Sequence, residues 1–127
     1  MTFDPAAVPV AFVNVADRDR ALGFYRDVLG LTVKSSDGFG DFLSFTDGAV
    51  VRLTALPGYT ASPYPMIGWN VPDIAAAVAA LTAKGVKMTI YEGMGQDATG
   101  VWTSPDGASK VAWFADPDGN VLSLAQV

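Results

Sequence analysis

Histidine and cysteine are both missing from this chain of 127 residues, and glutamate occurs once, at Glu92. Without histidine, the chain lacks the side chain that titrates near neutral pH and the commonest protein ligand for transition metals. Ser–His and Cys–His nucleophilic schemes are therefore excluded, as are disulfides and thiol chemistry. Any metal site would have to use carboxylate and backbone oxygens, which suit Mg²⁺ or Ca²⁺ better than zinc or iron.

Long apolar runs and clusters of basic residues are missing as well. No apolar stretch approaches the roughly 18 residues of a membrane span, and the first residues lack the basic segment that opens a signal peptide. The net charge is −5 and the pI is about 4.3, so nucleic acid is not an expected partner. We expect a cytoplasmic protein that binds neither membranes nor nucleic acids.

The chain does contain an internal repeat, in which the same order of predicted secondary-structure elements occurs in both halves. Half of the residues are apolar, which is enough for a packed core. Val15-Ala16-Asp17 and Val71-Pro72-Asp73 each follow an apolar stretch and precede a helical pattern that ends at a glycine, Gly30 or Gly85. Asp17 and Asp73 are suitable N-caps, and the two glycines suit the left-handed position that closes a helix.

Short β-type runs surround the two predicted helices, so each half is predicted to be β-α-β-β-β. The turns Asp47-Gly48 and Asp118-Gly119 are expected to lead into the last strand of each half. The predicted strands are Val8–Val15, Leu31–Ser35, Asp41–Thr46, Val50–Ala55, Met66–Val71, Val86–Tyr91, Ser109–Phe114 and Val121–Gln126.

Two motifs in these elements are specific. Phe24-Tyr25 is closely followed by Leu29-Gly30, and Asp116-Pro117-Asp118-Gly119-Asn120 lies near the end of the chain. With Val15-Ala16-Asp17, these motifs resemble the vicinal oxygen chelate superfamily, which includes glyoxalase I, extradiol dioxygenases and bleomycin-resistance proteins. The resemblance covers about residues 8–126.

The resemblance implies an α+β fold in which two tandem βαβββ modules form a cupped mixed β-sheet around a pocket. The chain is then expected to be a single domain, 1–127. Module one would span about 8–56, a proline-rich linker 57–64, and module two about 65–127.

Enzymes of this superfamily hold a metal ion at four positions, and the resemblance places them at Val10, Arg52, Met66 and Ser123. None of these residues is a carboxylate or an imidazole, and an arginine cation repels a divalent ion. We therefore expect neither the usual metal nor any other cofactor. Metal-dependent lyase, isomerase and dioxygenase chemistry loses its Lewis acid as a consequence.

Strand alternation predicts which side chains face the cup. The alternate strand residues that share a face with Val10, Arg52, Met66 and Ser123 are expected to face the cup. They are a mixture of apolar and polar side chains, as in small-molecule sites. The other parity, for example Val13, Val15 and Leu122, is expected to pack under the helices. The ligand-binding candidates are Phe12, Asn14, Arg52, Met66, Asn70, Trp102 and Ser123.

Three of the candidate features keep alternative interpretations. Arg52 could clamp a carboxylate or phosphate, pair with a nearby aspartate, or point into solvent from an edge strand. Trp102 closes the insertion 91–102 and, with Tyr91, could stack on a planar ligand; alternatively the insertion is a plain surface hairpin and Trp102 fills the core. Glu92 could act as a general base if burial raised its pKa, and is otherwise a solvated loop residue.

The expected function is binding of a small organic molecule, aromatic or anionic, without a catalytic metal, as in bleomycin-resistance proteins. The resemblance also implies a homodimer. One alternative is an enzyme of lyase, isomerase or dioxygenase type with an atypical metal site or none, for which Glu92, Asp97 and Asp41 are the candidate groups. Another is an accessory subunit without a small ligand.

Overall fold

A computed structural model describes residues 2–45 and 48–127. Internal contacts divide the chain into two compact units, Met1–Tyr59 and Thr60–Val127, which we call module one and module two. The division lies inside the segment 57–64, and the finer bounds assigned from the sequence stay a prediction. No helix among the described residues is long and apolar enough to cross a membrane.

Each module contains one helix and four strands within the described residues. In module one these are β1 (Val10–Val15), α1 (Arg18–Leu22, continued by a π-helical segment Gly23–Val28), β2 (Thr32–Ser36), β3 (Gly40–Ser44) and β4 (Val50–Ala55). In module two they are β5 (Pro65–Asn70), α2 (Ile74–Ala83), β6 (Trp102–Thr103), β7 (Lys110–Ala115) and β8 (Val121–Gln126). The α+β class and the tandem βαβββ modules predicted from the sequence are confirmed.

The sheet of module one has the strand order β1-β4-β3-β2, with β1 parallel to β4 and the other pairs antiparallel. Alternate residues of these strands form one buried face, as predicted from their parity. The core residues on it are Val13, Val15, Leu43, Val51 and Leu53. Gly40 lies where β3 meets β4, and a Cβ there would collide with the carbonyl oxygen of Leu53.

The first helix has the predicted ends but changes type in the middle. The Asp17 carboxylate accepts from the N–H of Arg20 at 3.0 Å, and Gly30 ends the turn with φ of 86°. Between them, the N–H of Leu29 donates to the carbonyl of Phe24, five residues back, at 2.9 Å. The apolar spacing predicts a helix here but does not distinguish α from π geometry. Tyr25 is fully buried, and the ring of Phe24 contacts it edge-on.

The sheet of module two has the strand order β5-β8-β7-β6, again with one parallel pair, β5 and β8. Asp73 caps α2 by accepting from the N–H of Ala76 at 3.0 Å, and Gly85 follows it with φ of 88°. One apolar face of α2 packs inward, since Ile74, Val78 and Leu81 are buried. The sheet contributes Ala112, Phe114, Leu122 and Leu124 to the same core.

The predicted strand Val86–Tyr91 is wrong, because this segment has no regular strand structure. It keeps one backbone contact with the sheet, in which the Thr89 N–H donates to the Trp113 carbonyl at 2.8 Å. The side chain of Gln96 binds the neighbouring backbone groups instead: it accepts from the Tyr91 N–H at 2.7 Å and donates to the carbonyl of Thr89 at 2.9 Å. The two-residue strand β6 therefore takes the place of the first strand after α2.

Of the two predicted turns, Asp118-Gly119 lies entirely within the described residues and Asp47-Gly48 does not. Asp116 accepts from the N–H of Gly119 at 3.0 Å through its carbonyl, and Gly119 has φ of 84°, so the turn at Asp118-Gly119 is confirmed. In the turn predicted at Asp47-Gly48, Asp47 lies outside the described residues.

Candidate functional site

One face of the module one sheet is not covered by its helix, and we call it the open face of module one. It consists of the strand residues that alternate with the core residues and therefore point to the other side of the sheet. Phe12, Arg52 and Phe42 lie side by side across β1, β4 and β3, and Asn14 and Thr54 form the next pair along β1 and β4. Phe12 is 66% exposed, although it lies on a strand next to the core. The structure thus brings Phe12, Asn14 and Arg52 together on one surface, as their parity predicts.

The guanidinium of Arg52 is held over this face by three neighbours. It lies over the ring of Phe42, with the Cζ atom 4.6 Å from the ring centroid. The Nε–H donates to the Thr54 hydroxyl at 3.3 Å. The Nη1 and Nη2 groups contact the two carboxylate oxygens of Asp37 at 3.2 and 3.5 Å. As a result, the Arg52 side chain is only 16% exposed.

Two of the three interpretations of Arg52 can now be compared with its position. Strand β4 lies between β1 and β3, so the edge-strand interpretation is wrong. The guanidinium does pair with a nearby aspartate, Asp37, in the turn between β2 and β3. Its use as an anion clamp stays a prediction, and it would have to operate beside that carboxylate.

Asp37 is fixed mainly by its own turn. Its Oδ1 atom accepts from the backbone N–H groups of Phe39 at 2.8 Å and Gly40 at 3.0 Å. The N–H of Phe39, and after it the Arg52 guanidinium, hold the pKa of Asp37 below its ordinary value. The carboxylate is therefore ionised at neutral pH. Its side chain is 46% exposed, so it faces solvent as well as Arg52.

A second Arg–Asp pair in module one has the opposite character. Asp41 accepts from Nε and Nη2 of Arg18 at 2.9 Å each and from the Ser36 hydroxyl at 2.6 Å. Arg18 also donates to the Gly40 carbonyl at 3.0 Å. Only 3% of the Asp41 side chain is exposed, and its bonds to Arg18 lower its pKa against the opposing effect of burial. This pair links the start of α1 to β3, so Asp41 has a structural partner and is not an available catalytic group.

Module two also has an open face, defined by two rows of residues that share a side of its sheet. Gly68, Ser123 and Trp113 form one row across β5, β8 and β7. The other row contains Asn70, Ala125, Val111 and Trp102. A Cβ on Gly68 would collide with the Ser123 hydroxyl and come within 3.1 Å of the Ser123 carbonyl, so glycine leaves room for that hydroxyl.

The ligand-binding candidates of module two all belong to these strands, with one irregularity. Met66 lies at a shift in register between Pro65 and Ile67, where the regular pairing of β5 with β8 is interrupted. Its facing therefore does not follow from simple alternation. Asn70 and Ser123 lie in the rows that their parity predicts, and Trp102, which the sequence did not assign to a strand, lies in the row of Asn70.

Two aromatic residues of the open faces, Phe42 and Trp113, were missed at the level of sequence. Phe42 supports the Arg52 guanidinium, and Trp113 contacts the ring of Tyr91 edge-on with centroids 5.5 Å apart. Both lie in antiparallel strands directly opposite a candidate residue, Phe42 opposite Arg52 and Trp113 opposite Ser123. Extending the alternation rule to β3 and β7 would have found them.

The insertion 91–102 is held together by two side chains. Gln96 also donates to the Gly100 carbonyl at 2.8 Å, and Asp97 accepts from the Thr99 hydroxyl at 2.6 Å and from the Val101 N–H at 3.0 Å. The Thr99 hydroxyl, followed by the Val101 N–H, lowers the pKa of Asp97. Glu92 is exposed on this loop, so the burial that a general base would need is not present.

Beside α2, an apolar groove of about 740 Å³ lies between that helix and the segment leading into the insertion. Its walls include Ala79, Thr82, Met88 and Ile90. None of the ligand-binding candidates lines this groove.

The residues at the four expected metal positions do not fit a divalent cation. Val10 has no donor atom, the Met66 thioether is a weak ligand for hard ions, and Arg52 is a cation engaged by Asp37. Ser123 offers one neutral hydroxyl. Throughout residues 2–45 and 48–127, no group of three His, Cys, Asp or Glu side chains could hold a metal ion.

Comparisons with known proteins agree with this fold. The sequence model described as "Glyoxalase/Bleomycin resistance protein/Dioxygenase superfamily" matches residues 6–124. A solved member of that superfamily from Sphaerobacter thermophilus is 26% identical, with a TM-score of 0.73 over 96% of this chain and 98% of the other. No curated protein matches the sequence.

Two further solved structures are similar in fold alone. A glyoxalase family protein from Enterococcus faecalis has a TM-score of 0.74 at 17% identity and covers 95% of this chain and 98% of its own. An antibiotic binding protein from a Streptomyces species has a TM-score of 0.68 at 22% identity, with 99% and 98% of the two chains covered.

Proposed function

Because the chain belongs to the Glyoxalase/Bleomycin resistance protein/Dioxygenase superfamily, we propose that it binds a small aromatic molecule on the open face of module one without a catalytic metal. The observation that carries the proposal is the row of Phe12, Arg52 and Phe42. An exposed ring there lies next to a guanidinium that is already positioned on a second ring.

The energetics of Phe12 favour a ligand on this surface. Burying a phenylalanine side chain stabilises a complex by about 1.5–3 kcal/mol. A single exposed aromatic residue is common and needs no explanation on its own. Here, however, a planar ligand on Phe12 would also meet the guanidinium of Arg52 and the polar groups of Asn14 and Thr54. That combination of an apolar platform and a few directed polar groups is typical of small-molecule sites.

The side chains at the family's four metal positions favour ligand binding over metal-assisted catalysis. The family's metal positions supply no carboxylate and no imidazole, so a bound substrate would not receive Lewis-acid activation from them. The fold similarity to an antibiotic binding protein is compatible with a binding role. Asn70, Trp102 and Ser123 are candidates for a separate set of ligand contacts on the open face of module two.

The test is an NMR titration of the ¹⁵N-labelled chain with 2-naphthamide, compared between wild type, Phe12→Ala and Phe45→Ala. We expect shifts centred on Phe12, Phe42 and Arg52, and a Kd that rises about tenfold in Phe12→Ala. Phe45 is the matched control, because it is similarly exposed, at 53%, but lies beside Gly30 at the end of the first helix. An equal Kd for Phe12→Ala and wild type, or shifts centred on the groove beside α2, would contradict the proposal.

A further inference from the structure

We propose that Asp37 makes the open face of module one select uncharged aromatic carbonyl compounds over aromatic carboxylates. The inference rests on the proposed function and concerns the charge of the ligand. Asp37 acts here as a counter-ion that is part of the protein, placed where the carboxylate of an anionic ligand would otherwise bind.

The two partners of this ion pair are positioned independently of each other. Arg52 is held by the Phe42 ring and the Thr54 hydroxyl, and Asp37 by the N–H groups of Phe39 and Gly40. The contacts between them, at 3.2 and 3.5 Å, are longer than the 2.8 and 3.0 Å bonds that Asp37 makes to its own turn. Neither side chain needs the other to stay in place, so Asp37 remains beside Arg52 when a ligand arrives.

The guanidinium still has donors to offer. Arginine carries five N–H groups, and three of them have acceptors in the described structure, the Thr54 hydroxyl and the two Asp37 oxygens. A carbonyl oxygen on a ring stacked against Phe12 can accept from a remaining N–H without displacing Asp37. This contact requires no negative charge on the ligand.

A carboxylate at the same place would meet a less favourable field. It would lie close to the ionised Asp37, and the positive charge it would bind is already balanced. Arg18, which also attracts Asp37 electrostatically, is committed to Asp41. The whole chain carries a net charge of −5, which adds repulsion of the same sign.

The experiment compares two ligands that differ in charge and little else, 2-naphthamide and 2-naphthoate. Asp37→Asn removes the charge and keeps an oxygen that can accept from the N–H groups of Phe39 and Gly40. We expect wild type to bind the amide about fivefold more tightly than the carboxylate, and Asp37→Asn to bind the carboxylate about fivefold more tightly than wild type does. The Kd for the amide should stay within about twofold.

Asp106→Asn is the matched control, because Asp106 also accepts from a backbone N–H in an exposed turn, that of Ala108, but belongs to module two. It should change neither Kd. Selection by charge can also be tested on the wild-type protein. Raising the salt concentration should reduce its preference for the amide, since exposed charges are screened.

The outcomes separate the two proposals. If the amide binds but the preference is absent in wild type, or survives both Asp37→Asn and high salt, Asp37 does not select the ligand and the binding function stands. If neither compound binds to wild type or to Asp37→Asn, the proposed binding function is wrong, and the selectivity inferred here is wrong with it.

Discussion

Two Arg–Asp pairs in module one differ in bond length and in how far the carboxylate is buried. Arg18 and Asp41 are joined by two 2.9 Å bonds around a carboxylate that is 3% exposed. Arg52 and Asp37 meet at longer distances around a carboxylate that is nearly half exposed. The Arg18–Asp41 pair joins the start of α1 to β3, whereas the Asp37 carboxylate beside Arg52 stays nearly half exposed on the open face. The same two residue types therefore serve structure in one place and, under the function proposed above, ligand recognition in the other.

Replacing Asp41 with asparagine should destabilise the protein at neutral pH and make its stability less sensitive to acid. The free energy of unfolding should fall by about 1–2 kcal/mol, because the charge-assisted bonds to Arg18 are weakened and Arg18 is partly screened by solvent. The pKa of Asp41 is lowered on folding, so its contribution is fully present above the ordinary value of 3.8 and is lost as the pH falls through the lower folded value.

Urea unfolding at about pH 7 and about pH 3 measures both effects. Asp27→Asn is the control, because Asp27 pairs with Arg26 at 2.8 Å but both side chains are exposed. Equal acid sensitivity in Asp41→Asn and wild type would show that the buried pair does not contribute in this way.

Residue roles that depend on nearby sequence were predictable, and those that depend on distant partners were not. The caps Asp17 and Asp73 bind N–H groups three residues away, so the local pattern was sufficient. Asp41 and Arg18 are 23 positions apart, and only the pairing of β3 with its neighbours brings them together. Arg52 is intermediate: alternation predicted its face, but not which of its possible partners it binds.

Among the elements, the segment between α2 and β6 departs most from its sequence pattern. Val86–Tyr91 has strand-forming composition, yet one glutamine side chain replaces the ladder of a neighbouring strand. Gln96 binds one N–H and two carbonyl groups of this region, those of Tyr91, Thr89 and Gly100. Propensity describes what a segment can form, and here a side chain five to seven residues away satisfies its polar groups first.

Gln96→Ala should loosen this region without unfolding the module. Three buried or half-buried backbone groups would lose their partners, so we expect a loss of about 1–2 kcal/mol in the free energy of unfolding and faster amide exchange at Tyr91. Gln96→Glu separates the roles, because it can still accept from Tyr91 but cannot donate to Thr89 and Gly100. Hydrogen exchange followed by NMR is the measurement, with Met94→Ala, an exposed change in the same loop, as control. Unchanged exchange at Tyr91 in Gln96→Ala would mean that the glutamine does not hold the segment.

At the scale of the whole molecule, repetition made the architecture predictable. The repeated Asp-capped helices and the late Asp116–Asn120 motif were enough for two βαβββ modules, and the order of strands in both sheets follows the same plan. The open faces were predictable from parity, except at Met66, where the register shifts. The homodimer implied by the resemblance stays a prediction, as do the ligand and its contacts.

The most general prediction for the whole chain is that its stability does not depend on a metal ion. A ligand that binds only the folded state raises the unfolding temperature, and its removal lowers it. Val10, Arg52, Met66 and Ser123 provide no anionic donor, so dialysis against EDTA should leave the Tm within about 1 °C of that of untreated protein. Adding Mg²⁺, Mn²⁺, Ni²⁺ or Zn²⁺ after dialysis should not raise it, and the Kd for 2-naphthamide should be the same with and without chelator. Elemental analysis of the dialysed protein completes the measurement: a metal retained in stoichiometric amount, together with a lower Tm after its extraction, would show that the chain binds an ion through groups other than these four.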